Sequence, residues 1–316
     1  MGNVNAKSIL ITGGTGVIGR HTARRLSQLG HTVRILSRRR NPDVPLLRDV
    51  HNVQFAQGDV REPASLHAAM QGCDVAVLSH QFQNFPVENP KQNETFDAVD
   101  RTGTEHCVQA AQAAGVGHIV YISGIALGNP NPPHPGVTAK LAAERAVFNS
   151  GISSISLRVN VVYAPDDKYF PKLASAAKWS PFVPVFGKGD SICAPIHVDD
   201  VAEAIACAIE SDKTGVVSVC GPDEVTWKEL LMMVAQAGAS GRRMPLHISQ
   251  SLLNIAGGIG ERLPRPLLSR QAVTFATQFN QRCQPPNCDA VFGMTLMSLH
   301  EGIAKAFGRK GEGEKV

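Results

Sequence analysis

The sequence predicts an α/β protein: a doubly wound parallel sheet followed by a smaller, mostly helical C-terminal lobe. Three observations carry this prediction. Strand-like apolar runs alternate with helical patterns through the first half of the chain. A glycine-punctuated turn joins the first apolar run to the first helical pattern. Beyond about residue 165 the alternation loosens and prolines divide the chain into shorter pieces.

Ile9, Leu10 and Ile11 suit a strand buried on both faces, placing the first strand over 8–12. Gly13-Gly14-Thr15-Gly16-Val17-Ile18-Gly19 follows it. The Gly14-x-Gly16-x-x-Gly19 spacing fits a tight turn, a close backbone approach to a pyrophosphate, and close helix–strand packing. That is the dinucleotide-binding arrangement of a Rossmann unit, with the anion on free N–H groups at the start of a helix over about 17–29. A Walker loop is excluded, because Arg20-His21 stands where Lys-Ser/Thr is required. Further strands are expected near 32–36, 53–57, 75–78, 118–122 and 154–159, and helices near 63–70, 97–114 and 138–149. The proline-rich segment 128–136 then falls at the carboxyl edge of the sheet, where ligands bind in this architecture.

In the second half, helices are expected near 170–178, 198–210, 226–237 and 295–307, with strands near 192–196 and 216–219. Thr226-Trp-Lys-Glu229 reads as a capping box. The expected division is a dinucleotide-binding domain over 1–165, to which segments near 192–220 return, a C-terminal lobe over 166–307, and a disordered tail over 308–316.

The 316 residues can bury a full core, and 18% charged with 43% hydrophobic residues suits a globular enzyme. A net charge of +4, widely dispersed, gives no argument for a nucleic-acid partner. No apolar stretch approaches the length of a transmembrane segment, and without a charged-then-apolar leader the expected location is cytoplasmic. The seven cysteines (73, 107, 193, 207, 220, 283 and 288) are expected to be mostly small buried apolar residues. Only Cys283 and Cys288 are close-spaced, and with no second pair they make a poor site, so no metal is expected.

The end of the second strand discriminates between dinucleotides. An acid there would hold the ribose 2′-hydroxyl of NAD, but this chain has Ser37 followed by Arg38-Arg39-Arg40, with no acid before Asp43. Guanidinium groups pair with a 2′-phosphate, so NADP(H) is preferred and NAD(H) is the alternative. A solvated arginine run at a loop is the alternative, weakened by its placement directly after the second strand. Gly58-Asp59-Val60, after the third strand, would put a carboxylate and a backbone N–H near the adenine edge, with a simple helix start as the alternative for Asp59. Ser79, after the fourth strand, completes the expected cofactor contacts.

These pieces resemble the short-chain dehydrogenase/reductase superfamily in its extended and atypical branches. The resemblance is carried by Thr-Gly-Gly-Thr-Gly-Val-Ile-Gly, Gly-Asp-Val-Arg, Val99-Asp-Arg-Thr-Gly-Thr104, Ala-Ala-Gly-Val-Gly-His-Ile-Val-Tyr-Ile-Ser123, Leu-Arg158-Val-Asn-Val-Val-Tyr163 and His197-Val-Asp-Asp-Val201. The closer likeness is to NmrA-like proteins and the nucleotide-binding accessory subunit of respiratory complex I. The resemblance implies a Tyr-x-x-x-Lys pair and a Ser on the preceding strand. The Tyr exchanges a proton with the substrate oxygen, the Lys lowers its pKa and holds the nicotinamide ribose, and the Ser positions the substrate. Ser123 and Lys140 match, but Gly136 stands where the Tyr belongs.

Carbonyl reduction would then draw its proton from His134, Tyr163, Tyr169 or a water. Ser123 as a strand-end hydrogen-bonding residue and Lys140 as a surface lysine are the structural alternatives. Gly136, beside Pro135, is expected in a backbone conformation that only glycine accepts. The asparates after His197 are expected to serve a helix start rather than chemistry. The implied function is an NADP(H)-dependent oxidoreductase acting on a small organic substrate. The alternative is a cofactor-binding sensor, assembly factor or accessory subunit without turnover. Helices over 97–114 and 138–149 could pair subunits into a homo-oligomer or a larger complex.

Overall fold

The computed structural model describes residues 6–124, 134–260 and 281–308. Most of the proline-rich segment 128–136 and the tail beyond Gly308 lie outside the described residues.

Seven strands form one parallel sheet: β1 (Ser8–Thr12), β2 (Thr32–Ser37), β3 (Val53–Gln57), β4 (Val75–Leu78), β5 (His118–Gly124), β6 (Ser153–Val159) and β11 (Gly215–Val219). Their order across the sheet is β3-β2-β1-β4-β5-β6-β11. Register is direct, with Ile9 beside Val33 on one side and Val75 on the other. The strand order reverses between β1 and β4, and a crevice opens there beyond the carboxyl ends. Ile9, Leu10, Ile11, Ala76 and Val77 are fully buried, as strands covered on both faces require.

On one face α1 (Val17–Gln28) packs beside α6 (Val198–Glu210). His21 Nδ1 lies 3.2 Å from Asp199, and Arg25 pairs with Glu203, so the acidic start of α6 is structural. On the other face α2 (Pro63–Met70), α3 (Gly103–Ala114) and α4 (Pro135–Phe148) supply Leu66, Met70, Cys107, Ala111, Ala143 and Val147 to a core that includes Leu10, Leu78 and Tyr121. The helix expected over 97–114 is not uniform. Its first part, Phe96–Thr102, is π-helical, opened by Thr95 Oγ1 accepting from Ala98 N–H at 3.0 Å. Such wide turns re-aim side chains at functional sites, and this one carries Asp100.

Within the described residues the chain falls into two compact units: Met1–Val159 with Val198–Val219 and Pro285–Met294, and Asn160–His197 with Cys220–Gln284 and Thr295–Val316. The first unit ends at Val159 rather than 165, and it includes Pro285–Met294, a return without a counterpart in the sequence reading. The second unit contains α5 (Phe170–Ala176), α7 (Trp227–Gly238), α8 (Gln250–Gly260) and a helix over Leu299–Phe307. Both halves of the Thr226–Glu229 capping box form at the start of α7. Tyr163, Phe170, Leu230, Val234, Leu299 and Ile303 make this unit's core.

The second unit, mostly helical, also contains short strands. Three strand pairs form in it: β7 (Val162–Tyr163) with β10 (Ile196–His197), β9 (Ile192–Cys193) with β12 (Val225–Thr226), and β8 (Phe182–Phe186) with β13 (Met244–Ile248). Only the segment near 192–196 is expected as a strand, and it forms β9 and the start of β10; β7 and β12 have only two residues, while Pro184 and Pro245 interrupt β8 and β13. The cysteine expectation also needs correction. Cys220 and Cys283, 63 residues apart, form a disulfide with Cα atoms 6.0 Å apart. Cys73, Cys107, Cys193, Cys207 and Cys288 are free, and all but Cys207 are buried.

Candidate cofactor crevice and active site

The crevice is built from its glycine turn upward. Gly13 has a φ of +68°, and a Cβ there would lie 2.6 Å from the Ser79 carbonyl oxygen. The tight turn therefore falls at Gly13, one residue before the motif's first glycine. Gly19 serves packing, since its Cβ would stand 2.5 Å from both Gly13 O and Gly14 Cα. A Cβ on Gly16 would meet only Gly13 O, at 3.1 Å, so its remaining side is open. Gly16 caps α1 without a side chain and no acid occupies the first turn, leaving the N–H end around Val17 and Ile18 suited to a pyrophosphate. The residues thus fit a dinucleotide.

Toward the adenosine end, a cavity of about 120 Å³ is lined by Gly13, Thr15, Arg38, Asp59 and Val60 together with Ser37, Arg61, His80 and Glu94. Arg38 donates from its two terminal nitrogens to Glu94 and Gln83, each at 3.3 Å. Asp59 is partly occupied, because Arg61 donates to it from side chain and backbone. Burial pushes the Asp59 carboxyl up, but those hydrogen bonds and the guanidinium charge outweigh it and hold the pKa below the usual range. Ser79 Oγ donates to Thr12 O at 2.7 Å, which ties the end of β4 to β1.

His80 was not singled out by the sequence. It is buried between Thr12 Oγ1 at 2.8 Å and Thr104 Oγ1 at 3.2 Å. Thr104 donates its own proton to Asp100 O, so Nε2–H of His80 donates to Thr104 and Nδ1 accepts from Thr12. Burial, with Lys140 adding to it, depresses the imidazole pKa to about 3. This ring is a neutral strut between β1 and α3.

The other end of the site holds Ser123 and Lys140. Tyr121 and Ser123 occupy alternate positions on β5 and share a sheet face. The Ser123 Oγ is buried and makes no hydrogen bond among the described residues. Lys140 is no surface residue: its ammonium lies 2.8 Å from Asp100 Oδ1 and 5.5 Å from the Tyr121 ring centre. Burial works against the charge, but the Asp100 carboxylate and Tyr121 outweigh it and raise the lysine pKa above its ordinary value. Tyr121 is pushed up to about 12, chiefly by burial. Asp100 belongs to the quoted Val99–Thr104 segment, yet only the π-helical turn reveals that it faces Lys140.

Gly136 is not held in a glycine-only conformation. It lies in the first turn of α4, and the obstacle is steric: a Cβ there would stand 2.7 Å from Phe96 Cε1. Phe96 packs edge-on against Phe82 at 5.0 Å and His134 at 5.5 Å, filling the place of a larger side chain. The fallback proton donors are otherwise engaged. His134 is buried and its Nδ1 caps α4 by accepting from Gly136 N–H at 3.1 Å. Tyr163 is a core residue against His197, and Tyr169 is an exposed residue of the second unit.

Comparison with known proteins places this geometry in context. The chain is 30% identical over 241 residues, 75% of its length and 73% of the other's, to the ceramide reductase of Caulobacter vibrioides. It is 25% identical over 308 residues to the 2-alkyl-3-oxoalkanoate reductase of Stenotrophomonas maltophilia, covering 88% of this chain and 89% of that protein. The structure of MoeE5 in complex with UDP-glucuronic acid and NAD shares the fold, with a TM-score of 0.71 at 22% identity over 94% of this chain and 96% of that one. Residues 9–221, which hold the glycine turn, the crevice, Ser123 and Lys140, match the family model described as NAD dependent epimerase/dehydratase, and the chain belongs to that family.

Proposed function

We propose that this protein is an NADP(H)-dependent reductase of a small organic carbonyl compound, working without the tyrosine its relatives in the superfamily use. The observation that carries this reading is a buried Lys140, kept charged by Asp100, on the sheet face that also presents the unpartnered Ser123 Oγ. NADPH would supply the hydride to the carbonyl carbon, and the alkoxide formed needs one proton. Ser123 Oγ orients the substrate oxygen, Lys140 holds the nicotinamide ribose, and a water on these two groups delivers the proton. Tyr121 does not donate directly, because its ring is enclosed in the core. Arg38, at the mouth of the adenosine cavity, binds the 2′-phosphate and accounts for preference over NAD(H).

The test is NADPH consumption against a panel of ketones, aldehydes and enones, beside NADPH and NADH titrations. Turnover with at least one carbonyl compound and NADPH binding at least tenfold tighter than NADH are expected. A second reading has its own support: Phe96 packed over Gly136 favours a binding protein without turnover. Tight NADPH binding with no consumption across the panel would establish that reading instead.

A further inference from the structure

We propose that the second unit docks peripherally on a membrane, its apolar face entering the headgroup region of a bilayer rich in anionic lipid. In the ribbon formed by β8 and β13, β8 alternates buried and exposed residues, while β13 is exposed along nearly its whole length. Val183 and Val185 are buried, with Val183 clustered with Ala235 of α7 and Ala239 just after it. The alternate residues Phe182, Pro184 and Phe186 are exposed, and parallel register sets them beside Met244, Leu246 and Ile248. Side-by-side residues on neighbouring strands share a face, so six apolar side chains form one patch, five of them exposed.

The adjoining elements extend this character. Trp179, just before the ribbon, is 90% exposed. Helix α8 follows β13 directly and contains no charged residue. Leu253 and Gly257 are buried, whereas Leu252 at 59% exposure, Ile255 at 63% and Ala256 lie at the i, i+3, i+4 positions of an outer stripe. Scattered exposed apolar residues are ordinary, but a row of apolar side chains set side by side on one ribbon marks an interface.

Charge identifies the occupant. Residues 168–188 contain Lys168, Lys172, Lys178 and Lys188 and no acid, while residues 239–260 contain Arg242 and Arg243 and no acid. Lys172, Lys178, Lys188 and Arg242 are exposed. Exposed basic side chains close in sequence to exposed apolar and tryptophan side chains match a negatively charged lipid surface, with the indole at headgroup level. No helix among the described residues is long and apolar enough to cross a membrane, so the contact is superficial. A protein partner would equally bury the patch, but it would not require two acid-free basic segments flanking it.

The chain has two tryptophans, so Trp227→Phe leaves Trp179 as the only tryptophan in the full-length protein, read by excitation at 295 nm. With phosphatidylcholine vesicles containing one-third phosphatidylglycerol, its emission should shift to the blue and the protein should co-sediment. Partition should fall at least tenfold on phosphatidylcholine alone, and by a similar factor in half-molar salt. Leu252→Ser/Ile255→Ser, whose side chains are exposed and remote from the cofactor turn in sequence, should lose partition at least tenfold while keeping NADPH affinity and melting temperature. No co-sedimentation above the vesicle-free control would overturn the proposal, as would partition unchanged by the double substitution. So would a blue-shifted Trp179 before vesicles are added together with a dimeric mass by light scattering, which would assign the face to a second copy. None of these outcomes bears on turnover, so this proposal and the reductase reading fail separately.

Discussion

Arg38 is not idle in the structure: Glu94 holds it at 3.3 Å, and on the proposed reading a 2′-phosphate would compete for the same guanidinium. Arg38→Ala should therefore erase most of the NADPH preference. Glu94→Gln should strengthen NADPH binding relative to NADH by up to about fivefold, the scale of a partly exposed ion pair. Calorimetric titration of both cofactors checks this, and an unchanged ratio in both variants would place Arg38 outside phosphate reach. His80 makes a second prediction. Its pKa lies near 3 in the folded protein against the ordinary 6.5 of an imidazole. Between those pH values the unfolded chain binds the extra proton, so stability is full above about pH 6.5 and declines as pH falls. At pH 4.5 the loss from this residue alone is about 2–3 kcal/mol. Urea unfolding of the parent and His80→Gln at pH 7 and 4.5 should show a smaller acid loss in the variant. The Gly136 position is equally specific. Gly136→Tyr should destabilise by about 1–3 kcal/mol through collision with Phe96, rather than restore activity.

At the scale of elements, the β1–α1 turn and the π-helical entry to α3 divide the work of the site. Gly16 is extended, with φ −74° and ψ 174°, a conformation open to other residues, and its Cβ would face little protein. Gly16→Val should consequently keep the melting temperature close to the parent's and abolish NADPH binding. Retained affinity would move the cofactor elsewhere. Lys140 behaves differently because it is half of a buried pair with Asp100. Lys140→Ala leaves a carboxylate enclosed without its counter-charge and should destabilise by about 3–5 kcal/mol. The double variant Lys140→Met/Asp100→Asn removes both charges and should recover much of that stability. It should still bind NADPH more weakly, by roughly the 1.5–3 kcal/mol of a charged hydrogen bond. Parent-like affinity in the double variant would mean that Lys140 serves the fold alone.

Across the whole molecule, the Cys220–Cys283 bond closes a span of 63 residues within the second unit. Closing a loop of that size restricts the unfolded chain by about 4 kcal/mol in the loop-entropy account. Reductant should lower the melting temperature, and the denatured, unreduced chain should titrate five thiols, with seven after reduction. Seven thiols in freshly prepared, unreduced protein would show that the bond does not form.

The sequence by itself determined the parallel sheet and the glycine turn, because each is written in local pattern: buried runs, spacing, and strand-to-helix rhythm. The roles of Ser123 and Lys140 came from a family resemblance and remain proposals. Only the tertiary structure decided what surrounds them. Asp100 under Lys140, Phe96 against Gly136, Glu94 on Arg38 and His80 between two threonines are contacts among residues distant in the chain or on differently shaped turns. The disulfide and the β8–β13 ribbon belong to the same class. Their partners are separated by some sixty residues, and short or proline-bearing segments become strands only when a partner strand is supplied. Local physics selects the elements, but long-range packing chooses which side chains meet, and in this protein it decides which charges are neutralised and which groups stay free for a ligand.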